Sequence, residues 1–545
     1  MKLASHPLRL LALTALVGLT TGATTTLDTY PRQPGVDAEH YRFDVRVSDD
    51  TDLIVARAEV SMRFRQAGVT TVWLDLASAT SAGTGMTVSA VTLDGAPIEW
   101  SHERDRVTMR LPSPPAAGDL KRFAVSYAGV PADGLKILDN RYGDRSFFSV
   151  NWPNKARQWL AMIDHPYDKA TSEFVVTAPV RYQVVANGLL QEELDLGDGN
   201  RRTHWKQSVP IASWLNAVGV AQFASRTFDY ADGVALQTWV FHQDREAGIA
   251  TFETPVREAL DFYDTHIGPY PYEKLANVEA AGMGGGMEHA SVIFYGARSV
   301  TMEPATGLVY HEIAHQWFGN SVTESDWDDV WLSEGFATYF TQLATEHYRG
   351  RDAFVEAMLR SRESVRTAEE GNPTATVVHD GLDDMGGIFN GMQYQKGGWV
   401  LHMLRGEIGT EAFWAGIRSY YARYRDSNAS SDDLRRVMEE VSGRELGWFF
   451  DQWLRRPGSP VIEGWWGYED DAVVIEVTQT QPGPAFRLGI DVGTVDGRGP
   501  VHVQGRVTMS ERTQRFVVPS EGRPIDVVLD PGVWLHARIE PLDGR

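Results

Sequence analysis

The sequence contains no cysteine among its 545 residues. This absence excludes disulfide bonds, thiolate ligands for zinc, and a lipid anchor attached through cysteine. A chain of this length can bury cores large enough to be stable without disulfides, so the absence of cysteine does not argue against export. A zinc site in this chain must therefore be built from histidine and carboxylate side chains.

Basic residues are scarce relative to acidic ones. The chain has 51 Lys and Arg against 73 Asp and Glu, which gives a net charge of −22. Nucleic acids and anionic membranes attract proteins with an excess of positive charge, so neither is an expected partner. Most of the acidic residues are expected on the solvated surface, and a negative cleft would also attract the cationic N-termini of peptides.

Long apolar runs are also missing. Residues 10–19 form an apolar run that is too short to span about 30 Å of hydrocarbon. The run follows Lys2 and Arg9 and precedes Thr21-Gly22-Ala23, which is the order of segments in a secretory signal. We therefore expect a signal peptide over residues 1–23, cleavage near Ala23, and an exported protein, periplasmic or secreted, without stable membrane insertion.

Hydrophobic periodicity divides the remaining chain into three parts. Residues 24–224 alternate apolar and polar positions, as at Tyr41, Phe43 and Val45, and predict an antiparallel β-sheet domain. Residues 225–455 change to a mixed and then mostly helical pattern, with helices expected at 256–263, 308–318, 335–348 and 397–404. The breaker cluster Arg456-Pro457-Gly458-Ser459-Pro460 marks the next boundary, and residues 456–545 predict a small β-sandwich. The expected fold class is multidomain α+β.

The main chemical signal is HEIAH at residues 311–315, followed by Glu334. Residues four apart on a helix lie one turn above each other, with about 5 to 6 Å between Cβ atoms, so His311 and His315 can bind one metal ion. Glu334 is on the next predicted helix, and Glu312 points beside the metal. Two imidazoles and one carboxylate leave the fourth position of a zinc ion open, as in catalytic rather than structural sites.

HExxH can also occur by chance, on a surface helix whose histidines have ordinary polar partners. Glu334 at a suitable distance makes that alternative much weaker. The other histidines considered, His165, His379 and His402, have no companion at ligand spacing, and we interpret them as polar or packing residues.

A glycine-rich segment upstream, residues 282–290, reads GMGGGMEHA, and Tyr394 lies in QYQKG. With the HExxH pattern and Glu334, these segments resemble the aminopeptidase N family of zinc metallopeptidases, whose motifs read G-x-M-E-N and Y-x-K-G. The resemblance spans most of residues 40–456 and implies a thermolysin-like catalytic domain. It also implies that Tyr394 donates a hydrogen bond to the transition state.

The resemblance implies that Glu288 binds the free α-ammonium group of a peptide. The neighbouring residues expected to line the substrate cleft are Gly285, Gly286 and Met287. Departures from the family pattern are His289 and Ser333, each in place of an asparagine, and Trp152, in place of a second amine-binding Glu or Gln. The carbonyl group of neighbouring Asn151 is a candidate for that role. The large helical domain of longer relatives has no room after Arg456, so a more open cleft, or one covered by a partner chain, is expected.

These features predict a zinc-dependent aminopeptidase that binds one Zn²⁺ per chain through His311, His315 and Glu334 and uses Glu312 as general base. Its partners would be peptides with a free N-terminus, and the sequence does not indicate the oligomeric state. A zinc endopeptidase or other zinc hydrolase on the same scaffold remains an alternative because of Trp152. A non-enzymatic binding protein is the second alternative, and the complete set of ligands argues against it.

Overall fold

The structure is a computed structural model, and it describes residues 28–229, 233–300, 305–388, 390–497, 499 and 501–545. The expected signal peptide, residues 1–23, lies outside the described residues. Among the helices that the structure describes, none combines the length and the apolar character needed to cross a membrane.

The N-terminal part is built almost entirely of strands. The strands are β1 (Val36–Arg46), β2 (Ile54–Phe64), β3 (Thr71–Asp75), β4 (Gly85–Leu93), β5 (Ala96–Pro97), β6 (Glu99–Glu103), β7 (Arg106–Arg110), β8 (Leu120–Val130), β9 (Leu135–Asp139), β10 (Arg145–Ser149), β11 (Ala170–Pro179), β12 (Gln183–Ala186), β13 (Leu189–Asp195), β14 (Asn200–Ile211) and β15 (Val218–Ala221). They form an eight-stranded sheet in the order β13-β14-β11-β1-β2-β8-β4-β5, a four-stranded sheet β12-β15-β10-β9 and a three-stranded sheet β3-β7-β6.

The pairing in this part is antiparallel except between β1 and β11, which run parallel. This pair departs from the predicted antiparallel sheet because the two strands are far apart in the chain, and a long crossover can connect parallel neighbours. The alternation in β1 has the expected effect, since Tyr41, Phe43 and Val45 are buried in a core shared with β2 and β11.

The middle part contains a mixed sheet followed by helices. Its elements are β16 (Phe223–Asp229), β17 (Ala235–Phe241), α1 (Arg245–His266), β18 (Lys274–Ala280), β19 (Gly286–Met287), β20 (Val292–Gly296), α2 (Thr306–Ala314), β21 (Val322–Glu324), α3 (Trp331–Arg349), α4 (Arg351–Gly371), a π-helical turn (Met392–Lys396), α5 (Gly397–Ile408), α6 (Thr410–Tyr424), β22 (Ser427–Ala429), α7 (Ser431–Ser442) and α8 (Gly447–Leu454). The sheet order is β16-β17-β18-β20-β19, so the short strand β19 lies at an edge.

Helix α2 is shorter than the helix predicted at residues 308–318. Helix α2 ends at Ala314, and His315 is its C-terminal cap, with helical dihedral angles (φ −56°, ψ −28°) and an N–H that still donates to the His311 carbonyl. The chain then turns sharply at Gly319, whose φ of +109° favours glycine. A Cβ atom there would lie 2.3 Å from Ser333 Oγ, so the close approach of α3 also requires a glycine.

The C-terminal part returns to strands. They are β23 (Val461–Glu469), β24 (Ala472–Gln479), β25 (Leu488–Val495), β26 (His502–Met509), β27 (Thr513–Pro519), β28 (Asp526–Leu529), β29 (Arg538–Ile539) and β30 (Asp543–Gly544). They form the sheets β27-β24-β23-β29, with β30 on β23, and β26-β25-β28. Trp453 of α8 stacks on Phe486, with ring centroids 5.3 Å apart, and thereby joins this part to the helices. The architecture confirms the predicted α+β class.

Candidate active site

Helices α2 and α3 bring the three predicted metal ligands together. His311 Nε2 and His315 Nε2 lie 3.2 Å apart. Glu334 Oε2 lies 3.4 Å from His311 Nε2 and 3.3 Å from His315 Nε2. The three donor atoms therefore form a nearly equilateral triangle.

This triangle has the size that a zinc ion requires. A tetrahedral zinc ion with bonds of about 2.0 to 2.1 Å holds its ligand atoms about 3.3 to 3.4 Å apart. Glu334 Oε2 is buried and has no hydrogen-bond partner among the described residues. A buried carboxylate oxygen without a partner is costly unless a cation binds it, so the donor set fits the ion.

The ring of His315 is oriented by two contacts on its other nitrogen. His315 Nδ1 lies 3.2 Å from the carbonyl oxygen of Phe318 and 3.1 Å from Ser333 Oγ. When Nδ1 donates its proton to the carbonyl, Nε2 carries the lone pair that a metal needs. Ser333, which replaces the family's asparagine, thus contacts a ligand directly, a role that its sequence position did not reveal.

Glu312 lies between α2 and the glycine-rich segment. Its carboxylate packs against Gly286, where a Cβ atom would lie 2.2 Å from Glu312 Oε1. Only glycine at position 286 leaves room for this carboxylate. Burial, followed by the nearby charge of Glu288, raises the pKa of Glu312 well above its ordinary value.

Tyr394 reaches the ligands from the π-helical turn. Its ring is nearly parallel to that of His311, with centroids 6.1 Å apart and an interplanar angle of 7°. Its hydroxyl forms a side-chain hydrogen bond with Glu334, and burial together with the charge of Glu334 raises the pKa of the phenol. The hydroxyl therefore stays protonated and remains a hydrogen-bond donor. π-Helical turns are rare and often occur at functional sites.

The glycine-rich segment is fixed by helix α2 and the loop after it. Gln316 Nε2 and Asn320 Nδ2 donate to the carbonyl oxygen of Glu288 at 3.0 and 2.6 Å. Gly286 and Met287 pair with β20, and their other edge is left without a strand neighbour in the described sheet. An edge strand offers backbone hydrogen bonds to an extended peptide. Gly285 precedes this strand with a φ of +92°, a conformation that favours glycine.

Three carboxylates are buried together around the two histidines. Carboxylate oxygens of Glu288 and Glu312 and a ring nitrogen of His315 lie within 4.8 Å of one another, and Glu334 shares His315 with them. Burial raises the pKa of Glu288 to about 7. For Glu334 the effect of burial is outweighed by the charges of His315 and His311, which lower its pKa to about 2. A site with this excess of negative charge favours cationic ligands.

His289, the other departure from the family loop, faces the core. Its ring meets Phe294 edge to face, with centroids 4.9 Å apart. Neither ring nitrogen has a hydrogen-bond partner among the described residues, and burial lowers the pKa to about 3. His289 is therefore a neutral packing residue.

Where relatives have a second carboxylate, this chain has Trp152, which packs in a buried cluster with Trp214 and Trp327. Trp152 meets Trp327 edge to face at 5.7 Å, and Trp327 contacts Trp214 at 5.0 Å. Trp214 in turn lies close enough to Glu288 to lower the pKa of that carboxyl, although Trp214 Nε1 has no hydrogen-bond partner among the described residues. The alternative role considered for Asn151 is wrong, because its oxygen accepts from Trp159 Nε1 at 2.8 Å and its amide donates to the Asn216 carbonyl at 2.6 Å.

Outside this site, no histidine that the structure describes belongs to a group of potential metal ligands. His165 Nε2 binds Asp28 at 2.7 Å, and His402 Nε2 binds the Val533 carbonyl at 2.9 Å. His379 is outside both groups of potential metal ligands in the described chain. Several supporting residues of the site were missed by sequence analysis, namely Gln316, Asn320, Ser333 and Trp214. Ser333 was noted only as a departure from the family pattern, and the packing contacts of these four residues carry no local signal.

Two protein-family models match the strand-rich N-terminal part and the part that carries the candidate site. The model described as "Peptidase M1 N-terminal domain" matches residues 37–215, and the model "Peptidase family M1 domain" matches residues 251–453. Glutamyl aminopeptidase of Homo sapiens is 29% identical over 328 residues, which is 57% of this chain and 34% of that protein. Tricorn protease-interacting factor F2 of Thermoplasma acidophilum is 25% identical over 451 residues, covering 79% of this chain and 54% of that one.

A solved structure of an M1 zinc metallopeptidase also has a similar fold. The M1 zinc metallopeptidase of Deinococcus radiodurans superposes with a TM-score of 0.67 at 25% identity, over 77% of this chain and 94% of that chain. The chain spans about a third of the length of the glutamyl aminopeptidases that it matches. The two family models together span both the strand-rich N-terminal part and the part that carries the candidate site, and the chain belongs to peptidase family M1.

Proposed function

We propose that the protein is a zinc-dependent aminopeptidase that removes the N-terminal residue of peptides. The observation that carries the proposal is the position of Glu288, whose carboxylate lies within 4.8 Å of Glu312 and His315. A carboxylate so close to the ligands limits how much of a peptide can extend past the site. Membership of peptidase family M1 and the similarity to aminopeptidases support the same activity.

The zinc ligands in this proposal are His311, His315 and Glu334. A bound zinc ion would supply Lewis-acid chemistry toward the scissile carbonyl and the attacking water. Glu312 takes the proton of that water as general base and returns it to the leaving amine. Burial and the nearby charge of Glu288 raise the pKa of Glu312, which makes its carboxylate a stronger base.

Tyr394 and Glu288 provide the remaining interactions. The protonated Tyr394 hydroxyl donates a hydrogen bond to the oxygen of the scissile carbonyl as its charge develops, an interaction typically worth about 2.7 to 4 kcal/mol. Glu288 accepts hydrogen bonds from the α-ammonium group and so selects the first peptide bond for cleavage. Gly285, Gly286 and Met287 bind the peptide backbone along the edge of β19.

The test compares amino-acid anilides and short peptides that have either a free or an N-acetylated terminus. We expect cleavage of the free substrates only, loss of activity with 1,10-phenanthroline, and recovery on addition of zinc. Glu312→Gln should keep stoichiometric zinc and lose nearly all turnover, which separates metal binding from catalysis. Equal cleavage of acetylated peptides would support the endopeptidase alternative. Stoichiometric zinc without any turnover would support a binding protein.

We also propose that the protein acts outside the cytoplasm. The support is the charged, apolar and small-residue order of residues 1–23. N-terminal sequencing of the protein recovered from the periplasm or medium should start close to residue 24. Recovery of the intact chain from the cytoplasm alone would contradict this.

A further inference from the structure

Lys396 follows Tyr394 by two residues in the π-helical turn, and its side chain is only 1% exposed. Its Nζ donates to Glu369 Oε1 at 2.8 Å and to the carbonyl oxygen of Gly458 at 3.0 Å. Hydrogen bonds of an ammonium group to a carboxylate are roughly twice as strong as neutral ones. A buried lysine with these partners therefore fixes the turn firmly.

The two acceptors come from different parts of the chain. Glu369 lies near the end of α4, and Gly458 lies in the connection between α8 and β23. Ser459, next in this connection, donates to the same Glu369 oxygen at 2.7 Å and contacts His536 Nε2 at 2.8 Å. Lys396 thus ends a hydrogen-bond network that extends to His536, in the connection between β28 and β29.

Tyr394 and Lys396 leave the turn on different sides. The Tyr394 ring faces His311, whereas Lys396 faces α4 and the connection to the C-terminal part. Gln393 adds a further anchor, since its Nε2 donates to the Val377 carbonyl at 3.1 Å. A shift of the turn at Lys396 would consequently move the Tyr394 hydroxyl relative to the ligands.

We propose that Lys396 is a positioning residue for Tyr394. It holds the π-helical turn against α4 and against the connection to the C-terminal sandwich, and so keeps the tyrosine hydroxyl at the edge of the ligand triangle. This inference rests on the proposed function, in which Tyr394 stabilises the developing oxyanion. It also makes the docking of the C-terminal sandwich part of the arrangement of the active site.

The first test is a double-mutant comparison of Lys396→Met and Tyr394→Phe. A displacement of about 1 Å can cost about 100-fold in rate, so we expect Lys396→Met to lower kcat by about 10- to 100-fold with KM within about threefold. In the Tyr394→Phe background the same change should cost less than about twofold, because the hydroxyl that it positions is absent. Equal losses in both backgrounds, or an effect confined to KM, would overturn the proposal.

A second variant keeps the test decisive if Lys396→Met does not fold. Glu369→Gln removes the charge of one acceptor and should lower kcat by about three- to tenfold, again only when Tyr394 is present. Glu370→Gln is the matched control, because Glu370 is on the same helix but pairs with Arg366 at the surface. The control should leave kcat unchanged, and a loss equal to that of Glu369→Gln would overturn the proposal.

Hydrogen exchange provides a readout that does not depend on activity. Backbone amides of residues 391–397 should exchange faster in Lys396→Met and Glu369→Gln than in the wild type or Glu370→Gln. Unchanged exchange in this segment would overturn the proposal whether or not the enzyme is active. A wild type that cleaves no peptide would instead overturn the proposed function, so the two failures are distinguishable.

Discussion

Gly335 and Gly397 are in direct backbone contact where α3 meets the start of α5. A Cβ atom on Gly335 would lie 2.9 Å from the carbonyl carbon of Gly397, and one on Gly397 would lie 3.1 Å from Gly335 Cα. Glu334 directly precedes Gly335, and Tyr394 lies in the π-helical turn just before Gly397. Because neither glycine has a side chain, the Glu334 carboxylate and the Tyr394 phenol can lie close together.

Gly335→Ala should separate these two segments. The added methyl group cannot be accommodated without a backbone shift, and overpacking of this kind typically costs about 1 to 3 kcal/mol of unfolding free energy. We expect kcat to fall at least tenfold as Tyr394 moves away from the ligands. Thermal unfolding and steady-state kinetics measure the two effects.

Gly398→Ala is the control for this prediction. Its Cβ atom would lie 3.3 Å from Thr338 Cγ2 and 3.5 Å from the Gly335 carbonyl oxygen, contacts that small side-chain movements can relieve. We expect a much smaller loss of stability and rate. Equal behaviour of the two variants would contradict the role assigned to the contact between Gly335 and Gly397.

Gly286→Ala should displace Glu312, the proposed general base. The new methyl group would lie 2.2 Å from Glu312 Oε1 and 2.3 Å from its Cδ, so the carboxylate must move. We expect kcat/KM to fall by about 100-fold or more while zinc content stays stoichiometric, because the three atoms nearest to this Cβ position all belong to Glu312. Gly284→Ala, where a Cβ atom has no neighbour within 4 Å, should retain nearly full activity. Loss of zinc from Gly286→Ala would show that the damage is not confined to Glu312.

The parts of the site that follow local geometry could be predicted from the sequence. HExxH places two imidazoles one helical turn apart wherever the segment is helical, so the grouping of His311, His315 and Glu334 could be predicted, and their metal-binding role stays a prediction. Ser333, Lys396 and the contact between Gly335 and Gly397 depend on how distant segments pack, and a single sequence carries no signal for that packing. For the same reason the end of α2 at Ala314 was missed, because the turn at Gly319 is imposed by the approach of α3.

Some of the strands could be predicted from hydrophobic alternation, and others could not. Alternation revealed β1 and β2, which bury one face each. Strand β23 carries no such signal, because its buried positions do not alternate, with Trp466 and Gly467 buried in succession. The parallel pairing of β1 with β11 was also missed, since hydrophobic patterns do not specify the direction of a distant partner.

Ser333→Ala should weaken metal binding without removing a ligand. The hydroxyl contacts His315 Nδ1 at 3.1 Å, and the Phe318 carbonyl at 3.2 Å remains as the alternative acceptor. Loss of such a supporting contact typically costs 10- to 100-fold in metal affinity, and we expect a value near tenfold because one partner remains. Competition with a zinc chelator of known affinity measures the change. An unchanged affinity would mean that Phe318 alone orients the ring.

Lys169 connects the N-terminal strands to the loop that fixes the glycine-rich segment. Its Nζ donates to the carbonyl oxygens of Asn320 and Ser321 at 2.9 and 2.7 Å, and to Thr323 Oγ1 at 2.9 Å. Asn320 in turn holds the Glu288 carbonyl. Burial lowers the pKa of Lys169 from 10.5 to about 7, although Asp426 and Glu324 oppose the shift.

This lowered pKa predicts a specific pH dependence of stability. Between about pH 7 and 10.5 the unfolded chain binds a proton at Lys169 that the folded chain does not, so this group makes unfolding less favourable as the pH rises. Below pH 7 both states are charged, and burial of the ammonium group lowers stability by its full amount. We expect the unfolding free energy of the wild type to rise by about 1.4 kcal/mol per pH unit relative to Lys169→Met between pH 7.5 and 9.5. Urea unfolding of both proteins at several pH values tests this, and parallel curves would mean that Lys169 keeps its proton throughout the range.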